Sequence, residues 1–240
     1  MATVGCVNAF EDEAFLRESL PALARAVDRI VLVDGRYAHF PCARCPVLGA
    51  RKDGRRWVDE GGEPVRWPCP DCRETAASSD GTVAVARSMG CEVVEAPARA
   101  WASEIEKRNA YLDRVADGDW CLVVDADEIV EGGLEPSELE PNEDWLVDLY
   151  RIDYPTKPGQ TWCPIHRLFL RRPGIRYAGT HHAVHVGDRL VHPRDLPVKP
   201  GIRLRHLTSR RDAARQARKG AYYDLLSAGE AEFRAAHGGL

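Results

Sequence analysis

The stretch "GDWCLVVDADEIVEGG", Gly118 to Gly133, decides how the rest of the chain is read. Apolar residues from Cys121 to Val124 run directly into Asp125, Asp127 and Glu128. A short apolar run bounded by turn residues predicts a strand buried on both faces, as in a parallel sheet. Ending such a strand in clustered carboxylates is costly, because like charges repel and each loses hydration. A positive partner is therefore expected at the tip.

Working outward, "TVGCVNAF" (Thr3 to Phe10) predicts a first buried strand. "EAFLRESLPALARAV" then places Phe15, Leu16, Leu20, Leu23 and Val27 at helical spacing, and "DRIVLVDG" predicts a second strand ending at Asp34. This β-α-β opening favours a parallel sheet with right-handed crossovers. From Arg36 to Ala77 the composition turns to Arg, Pro, Gly, Trp and Cys without apolar periodicity, which predicts an inserted module at 36–77. The α/β rhythm then resumes with a helix over Gly81 to Met89, Gly90 as its stop and a strand at Cys91 to Glu95. "ASEIEKRNAYLDRVADG" predicts a helix with Ile105, Leu112 and Val115 on its apolar side. Beyond Gly133, "DWLVDLYRIDY" and "HRLFLRRPGIRYAGTHHAVHV" read as antiparallel strands with turns at Pro173-Gly174 and Gly187-Asp188, and "GIRLRHL" as another. A basic C-terminal helix over 208–232 is expected to open at Ser209 and Asp212. The fold class is α/β: one domain over 1–240, with a mostly parallel central sheet flanked by helices.

A chain of 240 residues suits that single domain plus a small insertion. A net charge of -4 gives no reason to expect a coat for nucleic acid or anionic membrane. No basic segment followed by an apolar stretch opens the chain, and no apolar run approaches the roughly 20 residues that span a bilayer. A cytoplasmic protein without a membrane span is the expectation. Eight cysteines are many for a reducing compartment, but four of them form "CARC" (Cys42, Cys45) and "CPDC" (Cys69, Cys72). Four thiolates suit a structural, tetrahedral zinc ion, and "RRWVDEGGEPVRW" between them reads as a hairpin about Gly61-Gly62. Paired disulfides and redox work are the alternatives. Cys6, Cys91, Cys121 and Cys163 read as ordinary buried residues.

In open α/β sheets, ligands sit beyond the carboxyl ends of the strands, where Asp34 and the Asp125 to Glu128 group both fall. A divalent cation there would neutralise the repulsion and hold a diphosphate, since hard cations prefer carboxylate and phosphate oxygens. An isolated D-x-D also caps helices or decorates solvated turns. The surrounding pattern discriminates: Arg108-Asn109, a helix, Gly118-Asp119-Trp120, an apolar strand and Asp125 to Glu128. It resembles the family 2 type of glycosyltransferase with the GT-A fold. "EDEAFLRESL" is similar to the family's N-E-x-x-x-L-x-x-S-L, with Glu11 and Asp12 in place of Asn-Glu. The family's V-D-x-G-S-x-D-G-T is split here, with Val33, Asp34 and Gly35 before the insertion and Ser79, Asp80, Gly81 and Thr82 after it. The resemblance covers Thr3 to Gly35 and Ser78 to His206.

The resemblance implies a metal-dependent transfer of a sugar from a nucleotide-diphosphate sugar to an acceptor that the motifs do not specify, whether glycan, protein or another hydroxyl. Glu11, Asp34, Asp80, Arg108, Asp125 and Asp127 would form the donor site. Within it Asp34 would meet base or ribose, Arg108 the diphosphate, Asp125 the ribose or metal shell, and Asp127 the metal. His206, on the strand before the last helix, would complete the shell for Mn2+ or Mg2+, the imidazole favouring manganese. Arg210, Arg211, Arg215 and Arg218 either close over the diphosphate or form a solvated helix face. Where relatives carry G-x-x-H-E this chain has Ala183 in place of the Glu, so His182 or Asp153 is the candidate general base. Two alternatives use the same residues differently: a non-catalytic module in which the cysteine ribbon binds protein or nucleic acid on a degenerate scaffold, and a nucleotidyltransferase of related layout.

Overall fold

The computed structural model describes every residue except 39, 43, 54–55, 67–68, 74–76, 140–141, 152–160, 180–182, 208–209 and 237–240. In chain order the elements are β1 (Thr3–Ala9), α1 (Glu13–Ala26), β2 (Arg29–Asp34), β3 (Arg51–Asp53), β4 (Arg56–Val58), α2 (Pro70–Arg73) and α3 (Thr82–Ser88). There follow β5 (Glu92–Val94), α4 (Glu104–Leu112), β6 (Trp120–Asp125), β7 (Glu128–Gly132), β8 (Asp144–Arg151) and β9 (Thr161–Leu170). The chain ends with β10 (Ile175–Tyr177), β11 (Val184–Val186), β12 (Arg189–Leu190), β13 (Val198–His206) and α5 (Ala213–Ala236). It divides into two compact units: Met1–Gly35, Ser78–Glu95 and Ile105–Arg210 form the first, and Arg36–Ala77, Ala96–Glu104 and Arg211–Leu240 the second.

The first unit is built on an eight-stranded sheet of order β5-β2-β1-β6-β9-β8-β13-β7. Pairing is parallel across β5, β2, β1 and β6, where the expected apolar runs are buried throughout: Ile30 to Val33 and Cys121 to Val124 are all 5% exposed or less. Beyond β6 the sheet is mixed. β9 runs antiparallel to both neighbours, and β13 lies parallel to β8 and antiparallel to β7. β10, β11 and β12 form a separate three-stranded sheet; the predicted turn at Gly187-Asp188 joins β11 to β12, and the predicted turn at Pro173-Gly174 leads from β9 into β10. The chain leaves β1 for β2 on one side and returns as β6 on the other. That makes the carboxyl end of β1 a topological switch point, the place where open α/β sheets form a crevice. α1 buries Leu16, Leu20 and Leu23 in a core shared with Leu122, Val124, Leu168 and Leu204.

Two details differ from the sequence pattern. Of Ile105, Leu112 and Val115, expected on the apolar side of this helix, Leu112 and Val115, the latter just past the end of α4, are buried, but Ile105 is half-buried and Lys107, Arg108 and Tyr111 are buried in addition. Two basic side chains on an inward face are affordable only with hydrogen-bonding partners, which the switch point supplies. Cys163, read as buried, is exposed on β9.

At the start of β8, Asp144 accepts from His166 Nε2 at 3.0 Å and from Arg172 Nη2 at 2.5 Å. Burial pushes the Asp144 carboxyl up, but the His166 and Arg172 partners outweigh it and hold it below the usual carboxylate range. A depressed folded-state pKa adds stability above the unfolded value, about 3.9, and loses it as pH falls through the folded one. Acid denaturation monitored by circular dichroism should therefore begin at higher pH in Asp144→Asn than in the wild type. Coincident acid midpoints would refute this.

In the second unit β3 and β4 form an antiparallel hairpin, and a further turn follows at the predicted Gly61-Gly62. Asp59 N donates to Glu63 O, Val65 N donates to Trp57 O, and Val58 bridges to Pro64. Gly62 supplies the left-handed turn residue with φ 85°. Tyr37 bridges to Trp101 in parallel, and Tyr222 of α5 stacks near Tyr37 and donates to Glu104 at 2.9 Å. The C-terminal helix starts later than the 208–232 expected from the sequence. Asp212 receives the backbone N–H of Arg215 at 2.7 Å and caps α5, and Ser209 lies outside the described residues.

Candidate functional site

Register places the acids. Ala9 pairs with Asp34 across β1 and β2, and Asn8 with Asp125 across β1 and β6, so both carboxylates stand on the same edge of the sheet, at the switch point. Asp34 is fully buried and accepts from the backbone N–H of Ser78 at 3.0 Å and its hydroxyl at 2.5 Å. The loop split by 36–77 thus closes on itself, Ser78 meeting Asp34.

The residues after the insertion serve mainly as loop chemistry. Asp80 is exposed and accepts from Thr82 N at 3.0 Å and Glu13 N at 3.1 Å, while Gly81 N donates to Glu13 at 2.9 Å. Glu11 occupies the left-handed region with φ 51°, which Asn tolerates better and a longer side chain enters at a cost. Hydrogen bonds from its N–H to Ser78 and from Ser79 to its carboxylate hold it there.

At the tip of β6, Asp127 and Glu128 are each 1% exposed, and the Asp125 side chain is 28% exposed. Arg167, from β9, donates to Asp125 Oδ2 at 2.7 Å and to Glu128 Oε1 at 3.1 Å. Arg108, from α4, donates to Asp125 Oδ1 at 3.3 Å and lies 5.6 Å from the Tyr177 ring centre. Asp125 N donates to Glu128 Oε2 at 2.8 Å. Burial, against the opposing pull of Arg167, pushes the Glu128 carboxyl up to about 7. The protein itself therefore supplies much of the positive charge that the sequence called for.

Asp127 Oδ2 lies 3.5 Å from His206 Nε2, and Leu207 N donates to the Asp127 carbonyl. Asp125, Asp127 and His206 are thus not brought together as one three-ligand set. Two arginines reach Asp125, and β13 brings His206 to Asp127. Beneath the crevice Lys107 donates to Ala9 O at 2.7 Å and Gly35 O at 2.5 Å, pinning the ends of β1 and β2.

Other motif residues prove to be scaffold. Asn109 clamps Tyr177 through both its amide groups at 2.9 and 3.0 Å, Gly118 turns the chain with φ 91°, Asp119 accepts from Ala2 N, and Trp120 is core. The candidate bases Asp153 and His182 lie outside the described residues. Arg167 and Lys107 were missed by sequence reasoning. The signal for each was a basic residue inside an apolar pattern, in "RLFL" and in the inward register of α4.

In the second unit Cys42, Cys45, Cys69 and Cys72 are buried, with all four Sγ atoms within 4.8 Å of one another. Among the described residues this is the one group of three or more such side chains that can hold a metal ion. Tetrahedral Zn–S bonds of about 2.3 Å require Sγ–Sγ separations near 3.8 Å. Those for Cys42–Cys69, Cys69–Cys72 and Cys45–Cys72 are 3.7, 3.5 and 3.7 Å.

No family model matches the chain. A TPR repeat-containing protein of Synechococcus elongatus is 33% identical over 118 residues, 48% of this chain and 28% of that protein, so the chain spans under a third of its relative's length. Among solved structures, S. aureus TarS has a TM-score of 0.35 at 15% identity, over 62% of this chain and 21% of that one. TarS 1-349 in complex with UDP-GlcNAc gives 0.37 at 13%, over 65% and 36%. At these scores the likeness adds nothing to the argument from residues and register.

Proposed function

We propose that the first unit binds a nucleotide-diphosphate sugar in the crevice at the switch point and transfers the sugar to an acceptor hydroxyl. One observation carries the reading: the register that sets Asp34 and Asp125 on one sheet edge, with Ser78 closing the interrupted loop over Asp34. In this reading Glu11, Asp34 and Asp80 frame the nucleoside, Asp125 reaches the ribose, and Arg108 stands toward the diphosphate.

Asp127 and His206 offer a carboxylate oxygen and an imidazole nitrogen, a donor pair that fits Mn2+ or Mg2+. Such a cation, when bound, would offset charge on the departing diphosphate. The chain's own work is to orient the donor on a rigid strand edge and to receive the acceptor proton at His182 or Asp153. The four cysteines would hold a structural zinc ion, folding a unit whose buried cysteine cluster is otherwise small.

A second reading is favoured by Arg167, which already neutralises Asp125 and Glu128 as a degenerate, non-catalytic scaffold carrying an interaction ribbon would allow. Thermal shift with a panel of nucleotide-diphosphate sugars, with and without Mn2+, separates the two. At a hundredfold excess over Kd a true donor adds about 2.7 kcal/mol, or roughly 5–10 °C in Tm for a chain of this size. If no donor shifts the transition, the transferase reading falls.

A further inference from the structure

All four carboxylate oxygens of Asp125 and Glu128 are engaged inside the protein. Asp125 Oδ1 faces Arg108 at 3.3 Å and its Oδ2 faces Arg167 at 2.7 Å. Glu128 Oε1 faces Arg167 at 3.1 Å and its Oε2 takes the backbone N–H of Asp125 at 2.8 Å. The side chains of Arg108, Arg167 and Glu128 are 3% exposed or less, so water screens these charges weakly. Nε and Nη1 of Arg167 have no hydrogen-bond partner among the described residues, so Nη2, shared between the two acids, carries its polar contacts. A divalent ion on Asp125 would have to displace a guanidinium and then sit beside the charge it displaced. Beside Asp127, 3.5 Å from its Oδ2, stands the His206 imidazole, a group that ligates metal when neutral.

The geometry points to Arg167 as the resident cation of the acid tip, a positioning residue that ties Asp125 and Glu128 into a triad and leaves Asp127, with His206, as the member of the D-x-D pair that takes a divalent cation. The assignment of that cation rests on the functional reading above; the triad does not. The two carboxylates that look equivalent in the motif then have separate work. Asp125 is oriented by two arginines toward a ligand hydroxyl, and Asp127 ligates.

The test is calorimetric titration of Mn2+ alone into the zinc-loaded full chain. Asp127→Asn is expected to weaken Mn2+ binding roughly tenfold or more, the scale on which a lost metal contact acts, while Asp125→Asn stays within about twofold of wild type. Arg167→Met takes the guanidinium from half-buried Asp125 Oδ2 and buried Glu128 Oε1, leaving Arg108 on Asp125 Oδ1, so it should gain Mn2+ affinity or a second bound ion, and Mn2+ should raise its Tm more than that of the wild type. A merely structural arginine would lower Tm without that gain. Equal losses in Asp125→Asn and Asp127→Asn, or a folded Arg167→Met with no gain, would overturn the proposal.

If Arg167→Met does not fold, the uncharged triple variant Arg167→Met/Asp125→Asn/Glu128→Gln decides. Recovery of a cooperative transition supports the triad, and failure to recover contradicts it. Should the wild type bind no Mn2+, the cation at Asp127 and His206 is lost with the metal-dependent reading. The triad is then judged by Arg167→Met, whose new Mn2+ binding supports it and whose lack of it overturns it.

Discussion

With zinc held as proposed by the four cysteines, chelating it, or replacing Cys72 with serine, is expected to unfold the second unit. The Cys72 side chain is fully buried among the other three thiols, and the cluster's remaining contacts are few: Val47, with Trp57 and Ala221 partly buried against it. A patch of that size cannot offset the entropy of ordering the chain around it, at roughly 1–2 kcal/mol per residue for the backbone alone. Structural zinc contributes about 10–16 kcal/mol of apparent binding energy at neutral pH, which in such modules is folding energy. Elemental analysis should find one zinc per chain. Limited proteolysis after chelation should open sites within 36–77 and 211–240 while the sheet strands stay protected. An unchanged digestion pattern, or a mass loss corresponding to two disulfides in freshly purified protein, would refute the zinc assignment.

Lys107→Met carries the second large effect. Its ammonium is 2% exposed and holds the carbonyls of Ala9 and Gly35, at the ends of β1 and β2. Ala9 O keeps the N–H of Gly35 at 3.0 Å when the lysine is lost, but the charged donor to both carbonyls goes. Hydrogen bonds to charged groups are worth about 1.5–3 kcal/mol each, so the loss should be about 3 kcal/mol, or roughly 6–12 °C in Tm. Methionine fills similar volume, so packing alone predicts a much smaller change. Because Gly35 follows Asp34, the same variant should also weaken any nucleotide-sugar shift. A Tm within a degree of wild type would show that the carbonyls find another donor.

Much of the scaffold was legible. Buried parallel strands carry uninterrupted apolar runs, and β1, β2 and β6 were read from theirs; the cysteine spacing announced the cluster. The insertion at 36–77 was visible because it breaks periodicity. That 96–104 and 211–240 join the same unit was not, since those segments meet it through Tyr37–Trp101 and Tyr222–Glu104, pairings between distant parts of the chain. Asn109 was legible as part of a motif but not in its role, because a side-chain clamp on Tyr177 depends on where β10 lies.

The chain's own pattern determined that a buried strand would end in Asp125, Asp127 and Glu128, and that bare charges there needed a cation. Which cation was decided by the tertiary structure: β9 enters antiparallel beside β6 and brings Arg167 to Asp125 across 42 residues of sequence. Periodicity reports which residues are inside, because burial follows from each residue's own chemistry and its near neighbours. It carries no record of which distant strand will lie alongside, and a Coulomb interaction of a few ångströms depends on that neighbour alone.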